Sequence, residues 1–144
     1  MNTIAHGNAA EAAVLHALTA TGLHVLVPFG GGLSFDLVAV LGDGTFQRVQ
    51  VKSGRIRGGC VEFNCTSTDH GRGPQHYRGR ADVIAVHVAS LGRTFMVPVD
   101  DCPASKGYLR IDAPRNNQRR GVRTADQYSF ERWARARVRS APCS

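Results

Sequence analysis

The chain has 144 residues, of which 42% are hydrophobic and 20% charged, and this composition excludes a wholly disordered polymer. Eighteen lysines and arginines against 11 aspartates and glutamates give a formal net charge of +7, which favours a polyanionic partner. Because no apolar run approaches the roughly 18 residues of a membrane span, nucleic acid is favoured over a membrane. We expect one domain over residues 1–139, followed by a short tail at 140–144.

The cysteines and the N-terminal residues indicate the cellular compartment in which the protein is expected. The N-terminal residues lack the apolar stretch of a signal peptide. Reduced thiols in a cytoplasm are therefore expected, rather than two disulfides of a secreted protein, for Cys60, Cys65, Cys102 and Cys143.

The first predicted element is a helix over HGNAAEAAVLHALTATG, residues 6–22. Asn8 is a suitable N-cap, and Gly22 stands where a glycine often ends a helix. Glu11 then falls in the first turn, at capping-box spacing from Asn8. A purely structural role for Glu11 is therefore the alternative to a functional one.

A strand hairpin is predicted next. LHVLVPF (23–29) indicates a short strand ended by Pro28, and a glycine-rich connection leads to SFDLVAVL (34–41). The turn at 42–44, Gly-Asp-Gly, predicts that TFQRVQVKS (45–53) returns antiparallel to it.

The remaining elements are mostly strands. Strands are predicted at 60–65, 82–88 and 94–99, an edge strand at 108–111, and a loop at 66–80. A basic helix follows at 126–139, with Trp133 anchoring it to the core. The order of helix, several strands and helix predicts an α/β (α+β) fold with a mixed central sheet flanked by helices.

The strand at 45–53 carries a polar face. Arg48, Gln50 and Lys52 project from one side, and Val49 and Val51 from the other, because side chains alternate along a strand. Most exposed strand faces carry scattered polar residues without a function, so these three residues gain meaning only from their partners.

Asp36 is the partner that suggests chemistry. It interrupts an apolar strand, where an unpaired carboxylate is costly, and the hairpin sets it opposite Gln50 and Lys52. Mg²⁺ or Mn²⁺ takes oxygen ligands and lowers the pKa of a bound water, and a nearby lysine stabilises developing charge. We predict that Asp36, Gln50, the Val51 carbonyl and Glu11, directly or through water, hold the metal while Lys52 acts beside the attacking water.

These residues resemble a known family. The pair FD at 35–36, followed by QVK at 50–52, with GNAAE at 7–11, is similar to the motif of the PD-(D/E)XK nuclease superfamily. The segments HYRGRADVIAVHV, FMVPVDD, GYLRID and RNNQRRGVRTADQY further resemble the small endonucleases of bacterial group I introns and their phage and bacterial relatives. The resemblance covers residues 4–130.

The resemblance implies a restriction-endonuclease-like core and a cytoplasmic, bacterial or phage-encoded enzyme that acts near the nucleoid. This chain departs from the superfamily at Gln50, where an acid is usual, although the subgroup resembles a glutamine variant. A carboxamide oxygen still ligates Mg²⁺ but adds no charge, so Glu11 would help restore the missing negative charge. No proline directly precedes Asp36, a position where the superfamily is variable.

Basic residues predict how DNA is held. Arginines and lysines neutralise phosphates and give affinity that does not depend on sequence. The predicted DNA-binding residues are Arg48, Arg55, Arg57, Tyr77, Arg78, Arg80, Asn117, Gln118, Arg119, Arg120 and Arg123. A domain of this size has limited surface for reading a long site, so we expect a homodimer or a higher homo-oligomer.

Three alternatives remain open. The enzyme could cut branched DNA as a Holliday-junction resolvase does, instead of a duplex site. It could also be a non-cutting DNA-binding module on a nuclease fold, for which Gln50 is the best argument. Two thiols and two imidazoles also suit Zn²⁺, but their spacing fits no common zinc motif, and core cysteines with loop histidines are favoured for Cys60, Cys65, His70 and His76.

Overall fold

The computed structural model describes residues 3–67, 73–111 and 123–138. Helix α1 spans Thr3–Ala20, and helix α2 spans Phe130–Val138. The strands are β1 (His24–Leu26), β2 (Leu37–Val40), β3 (Phe46–Ser53), β4 (Arg55–Arg57), β5 (Cys60–Asn64), β6 (Thr66–Ser67), β7 (Gln75–His76), β8 (Val83–Val88), β9 (Arg93–Pro98), β10 (Lys106–Arg110) and β11 (Arg123–Thr124). Short 3₁₀ turns lie at Val99–Asp101 and Ala125–Tyr128.

The strands form a main sheet and a second sheet. The main sheet has the order β1-β2-β3-β8-β9 and is mixed, because β3 and β8 run parallel while the other neighbours are antiparallel. The second sheet has the order β11-β10-β5-β4, and β6 pairs only with β7. This confirms the predicted α/β (α+β) class with a mixed sheet.

Two apolar cores lie on opposite faces of the main sheet. On one face, α1 residues Val14 and Leu18 and α2 residue Trp133 pack against alternate residues of the central strands, including Val49. The other face packs against the second sheet through residues such as Ile84. Helices therefore cover one face and a second sheet covers the other, and Trp133 anchors α2 as predicted.

The predicted start of the first helix is wrong. The chain is already helical at Thr3, so Asn8 is not an N-cap, and Glu11 is the ninth of 18 helical residues rather than part of the first turn. No proline interrupts the segment before Asn8, so the helix extends past the residue whose side chain suits a cap. A capping role for Glu11 is thereby excluded.

Other boundaries also differ. The predicted edge strand at 108–111 is an inner strand, because β10 bonds to both β5 and β11. The region predicted as a loop at 66–80 contains the short pair β6 and β7, and β4 was not predicted. The last helix begins at Phe130 because a 3₁₀ turn occupies 125–128. None of the helices within the described ranges is both long and apolar enough to cross a membrane.

Candidate active site

Asp36 lies immediately before β2 rather than inside it, yet it continues the ladder with β3. Its backbone N–H donates to the Val49 carbonyl at 2.9 Å, and its carboxylate Oδ2 accepts the Val51 N–H at 2.9 Å. Within the described chain, that N–H is the one donor to the carboxylate. Burial raises the pKa of Asp36, and the Val51 hydrogen bond and the charge of Lys52 lower it only in part. The anionic form of Asp36 is therefore only partly compensated.

Lys52 projects from β3 toward the turn after β5. Its Nζ donates to the Thr66 carbonyl at 3.3 Å and lies 5.1 Å from the centre of the Tyr77 ring. A carbonyl and an aromatic face both attract an ammonium group without neutralising its charge. These two contacts hold the amine near Asp36, where its charge lowers the pKa of that carboxyl.

Gln50 and the Val51 carbonyl converge at the same point. The Gln50 Nε2 donates to the Val51 carbonyl oxygen at 3.2 Å. A half-turn of the carboxamide exchanges its nitrogen and oxygen, and would then set two neutral oxygens side by side. Two such oxygens repel each other unless a cation lies between them, which is the chemistry of a hard-metal site.

Glu11 approaches this group from α1. Burial is the larger cause that raises the pKa of Glu11, and the negative charge of Asp36 raises it further. The helix packs on the main sheet through Val14 and Leu18, so Glu11 is carried to the edge of the site by the register of the helix. The structure thus brings Asp36, Gln50, Lys52 and Glu11 into one neighbourhood.

The predicted donor set of Asp36, Glu11, Gln50 and the Val51 carbonyl would suit Mg²⁺ or Mn²⁺ better than Zn²⁺. Two carboxylates, one amide oxygen and one carbonyl oxygen are hard ligands, whereas zinc prefers sulfur and imidazole. No three histidine, cysteine or acidic side chains among the described residues are grouped to hold a metal. Cys60 and Cys65 are buried free thiols, His76 contacts the carbonyls of Cys102 and Pro103, and His70 lies outside the described residues.

Several predicted DNA-binding residues already have partners in the protein. Arg48 forms a two-point ion pair with Asp82, with Nε–Oδ2 and Nη2–Oδ1 distances of 3.1 Å. Hydrogen bonds from Arg48 lower the pKa of Asp82, and Asp82 raises that of Arg48. Arg123 bonds to the Tyr128 hydroxyl and lies 3.3 Å from Asp101.

The other predicted DNA-binding residues divide into exposed, buried and undescribed groups. Arg78 and Arg80 are exposed near β7, where Arg80 donates to Gln75 Oε1 at 2.6 Å. Tyr77 is buried, so direct contact with DNA is not supported, and its ring instead lies under Lys52. The residues outside the described ranges are Asn117, Gln118, Arg119 and Arg120.

Sequence reasoning missed the groups that support the site. The Thr66 carbonyl and the Tyr77 ring hold Lys52, and both belong to a segment predicted only as a loop. The Asp82 partner of Arg48 was also missed, although an aspartate just before an apolar strand could have suggested a pairing role. Glu62, which accepts hydrogen bonds from Arg55, was also not predicted.

The geometry defines a class of protein: a carboxylate just before one strand of a mixed sheet, an amide and a lysine on the adjacent strand, and a glutamate from a packed helix. Residues 1–131 match the PD-(D/E)XK endonuclease family, and the chain belongs to that family. It is a nuclease.

The chain is also similar to a particular solved structure, that of the bacterial homing endonuclease I-Ssp6803I. The two chains are 26% identical, and the match covers 94% of this chain and 93% of the other with a TM-score of 0.75. This confirms the resemblance seen in the sequence. No curated protein sequence matches this chain significantly.

Proposed function

We propose that the protein is a divalent-metal-dependent endonuclease that hydrolyses phosphodiester bonds of a duplex DNA site, as a homing-type or phage nuclease. The observation that carries the proposal is the convergence of Asp36, Gln50 and Lys52, with Asp36 Oδ2 fixed by the Val51 N–H. Support for duplex DNA comes from the net charge of +7 and from the likeness to a homing endonuclease across almost the whole chain.

The residues fit a Mg²⁺ or Mn²⁺ ion. Asp36, Gln50 and the Val51 carbonyl would hold it, and Glu11 would contribute directly or through water. The cation would polarise the scissile phosphate and lower the pKa of a water molecule. Because burial leaves the Asp36 anion poorly compensated, binding a cation there relieves an existing electrostatic cost.

Lys52 supplies the remaining charge. Its amine, held by the Thr66 carbonyl, would lie beside the attacking water and the phosphate oxygens that gain negative charge. The water oxygen forms the new P–O bond and gives up a proton to solvent, the bond to the leaving oxygen breaks, and the leaving oxygen takes up a proton from solvent. The side chain of Lys52 orients the nucleophile and stabilises the transition state.

A panel of substrates tests this proposal. The protein is incubated with linear duplex, supercoiled plasmid and four-way-junction DNA, each with Mg²⁺, Mn²⁺ or EDTA. Cleavage of duplex DNA that EDTA abolishes is the expected result. Preferential cutting of the junction would favour the resolvase alternative, and DNA binding without any cleavage would favour the non-cutting module.

We also propose that the protein acts as a homodimer or a larger homo-oligomer, because one small domain offers little surface for a long site. Light scattering of the free protein and of its DNA complex measures this directly. A monomer in both states would contradict the proposal.

A further inference from the structure

Three basic side chains surround one acidic side chain on the second sheet. The Glu62 carboxylate lies 2.8 Å from Arg55 Nη2, 3.8 Å from Arg57 Nη1 and 3.5 Å from Lys106 Nζ. Arg55 approaches with a second nitrogen, Nε, at 3.1 Å from the same Glu62 oxygen. These four residues come from β4, β5 and β10, and we call them the Glu62 cluster.

Burial differs sharply within the Glu62 cluster. The Glu62 side chain is 6% exposed, whereas the side chains of Arg55, Arg57 and Lys106 are 64%, 66% and 48% exposed. One cation would suffice to compensate a buried carboxylate, and additional exposed ion pairs contribute little stability. Three cations around one carboxylate leave a net charge of +2 on an exposed part of the surface, where an external anion could reach it.

The cations keep free donors for such an anion. A guanidinium carries five N–H groups, and Arg55 directs only its Nε and one Nη2 hydrogen at Glu62. Hydrogen bonds from Arg55 are the main cause that lowers the pKa of Glu62, and the charge of Lys106 adds to it, so the carboxylate stays ionised. Glu62 therefore binds the cationic side chains on their buried side, and their remaining N–H donors stay accessible to solvent.

The Glu62 cluster lies close to the candidate active site along the chain. Two residues, Ser53 and Gly54, lie between Lys52 and Arg55, so the Cα atoms of Lys52 and Arg55 are within about 11 Å, or about three nucleotides of one DNA strand. Arg55, Glu62 and Lys106 also line an open cleft of about 700 Å³. That cleft includes Ser53, the residue after Lys52.

Gly54 fixes this spacing. A Cβ at position 54 would lie 2.6 Å from Val86 Cγ1 and 2.8 Å from Val61 Cγ1, so only glycine fits where the chain passes from the main sheet to the second sheet. The Gly54 N–H donates to the His87 carbonyl at 2.9 Å. The start of β4 is therefore held at a set position relative to the end of β3.

We propose that Glu62 is a positioning residue that arranges Arg55, Arg57 and Lys106 as a phosphate-binding surface for the DNA backbone beside the scissile bond. The inference rests on the proposed function, since it assumes DNA as the partner. A preorganised cation loses less conformational freedom on binding than a free side chain does, and Glu62 supplies that preorganisation.

Glu62→Gln separates positioning from simple charge. The substitution makes the cluster one charge more positive, so a purely electrostatic surface would bind DNA more tightly. Loss of positioning predicts the reverse, and we expect affinity for a fluorescent duplex to fall about tenfold in metal-free buffer. Binding as tight as that of the parent, or tighter, would overturn the inference.

Asp126→Asn is the matched control. It removes a carboxylate that lies 3.9 Å from Arg93 Nη2. The substitution therefore makes the same change of charge in an exposed ion pair whose residues do not line the cleft. We expect this variant to bind DNA at least as tightly as the parent. Weakening equal to that of Glu62→Gln would show that the loss is not specific to the cluster, and would contradict the proposal.

Lys106→Gln tests the surface if Glu62→Gln does not fold. Removing one phosphate contact should make the slope of log affinity against log salt concentration shallower by about one unit. An unchanged salt dependence would overturn the inference. All measurements are made well below the thermal midpoint of each variant.

Cleavage distinguishes this inference from the proposed function. The binding measurements are made in metal-free buffer, so their outcome does not depend on whether the protein cuts DNA. If the parent binds DNA but never cuts it, the proposed function fails while the binding result still decides the inference.

Discussion

Asp36 and Glu62 are two sheet carboxylates of one chain with opposite surroundings. Asp36 accepts one backbone N–H, and burial raises its pKa. Glu62 is more fully covered, yet three cations lie within 4.0 Å of it and its pKa is lowered. Lys52 and one backbone N–H compensate the first carboxylate only in part, whereas three cations surround the second.

The difference explains where a metal and a polyanion would bind. A divalent cation gains most beside an anion that the protein compensates only in part, which is Asp36. At Glu62 the same cation would meet three positive side chains and be repelled. In our proposals the two carboxylates therefore have different roles, since Asp36 would bind the metal and Glu62 would arrange the groups that bind phosphate.

The largest expected effect is the loss of cleavage in Asp36→Asn and in Lys52→Met. The first removes the charge that would hold the cation, and the second keeps the side-chain stem over Tyr77 while removing the ammonium. Each should lower the cleavage rate by about a hundredfold or more, or at least about 2.7 kcal/mol of transition-state stabilisation. Single-turnover cleavage measures this, and DNA affinity should stay near that of the parent.

Arg135→Gln is a suitable control for these two variants, because it changes an exposed residue on α2. It should cut at nearly the parent rate. Parent-like cleavage by Asp36→Asn would show that the metal, if one is required, is held elsewhere.

Gln50 should give the next largest effect. Gln50→Ala removes an oxygen ligand and should slow cleavage about tenfold or more, whereas Gln50→Glu adds a charge and should lower the metal concentration that gives half-maximal rate. Titrating Mg²⁺ in the cleavage assay compares the two. An alanine variant that matches the parent at every metal concentration would exclude Gln50 from the metal site.

The stabilities of Asp36→Asn and Glu62→Gln should change in opposite directions without metal. In the folded protein the pKa of Asp36 lies above its ordinary 3.8. As the pH rises from 3.8 to this higher value, the unfolded chain loses its proton first, so the free energy of unfolding falls. The folded pKa of Glu62 lies below its ordinary 4.5, so its contribution is present above that value and is lost as pH falls through the folded pKa. At neutral pH, Asp36→Asn should be at least as stable as the parent and Glu62→Gln less stable.

Thermal unfolding with and without Mg²⁺ completes this test. A ligand at about 100 times its Kd stabilises the folded state by about 2.7 kcal/mol, which corresponds to several degrees in Tm. The parent and Glu62→Gln should show that rise, and Asp36→Asn should not. Equal rises in all three would place the metal away from Asp36.

The hairpin of the candidate site could be predicted because its signals are local. Alternating residues at 45–53 and the turn at 42–44 define which side chains share a face and which strand lies opposite. The Glu62 cluster could not be predicted, because its members come from strands whose pairing depends on tertiary structure. Positions 55 and 62 meet through the β4–β5 register, and Lys106 arrives from β10.

The start of α1 shows the opposite failure, in which a local signal was misleading. Asn8 and Glu11 have the spacing of a capping box, but the apolar positions of α1 pack on the main sheet and the helix continues back to Thr3. The residues before Ala10 are mostly exposed, so packing on the sheet does not set the start of the helix; the backbone at Asn8 is already helical and therefore cannot form a cap. This correction removed the structural explanation of Glu11.

The smallest expected effect is that of Glu11→Gln, and it decides whether the helix belongs to the metal site. Glutamine has nearly the shape and helix propensity of glutamate, so the variant removes a charge with little change in packing. If Glu11 contributes charge to the metal, cleavage should fall about threefold to tenfold at low Mg²⁺ and recover in part at high Mg²⁺. Glu131→Gln, the same change in the first turn of α2, should leave the rate unaltered. A Glu11→Gln enzyme that follows the parent across the whole metal titration would remove Glu11 from the site, and the cation would then depend on Asp36 alone for negative charge.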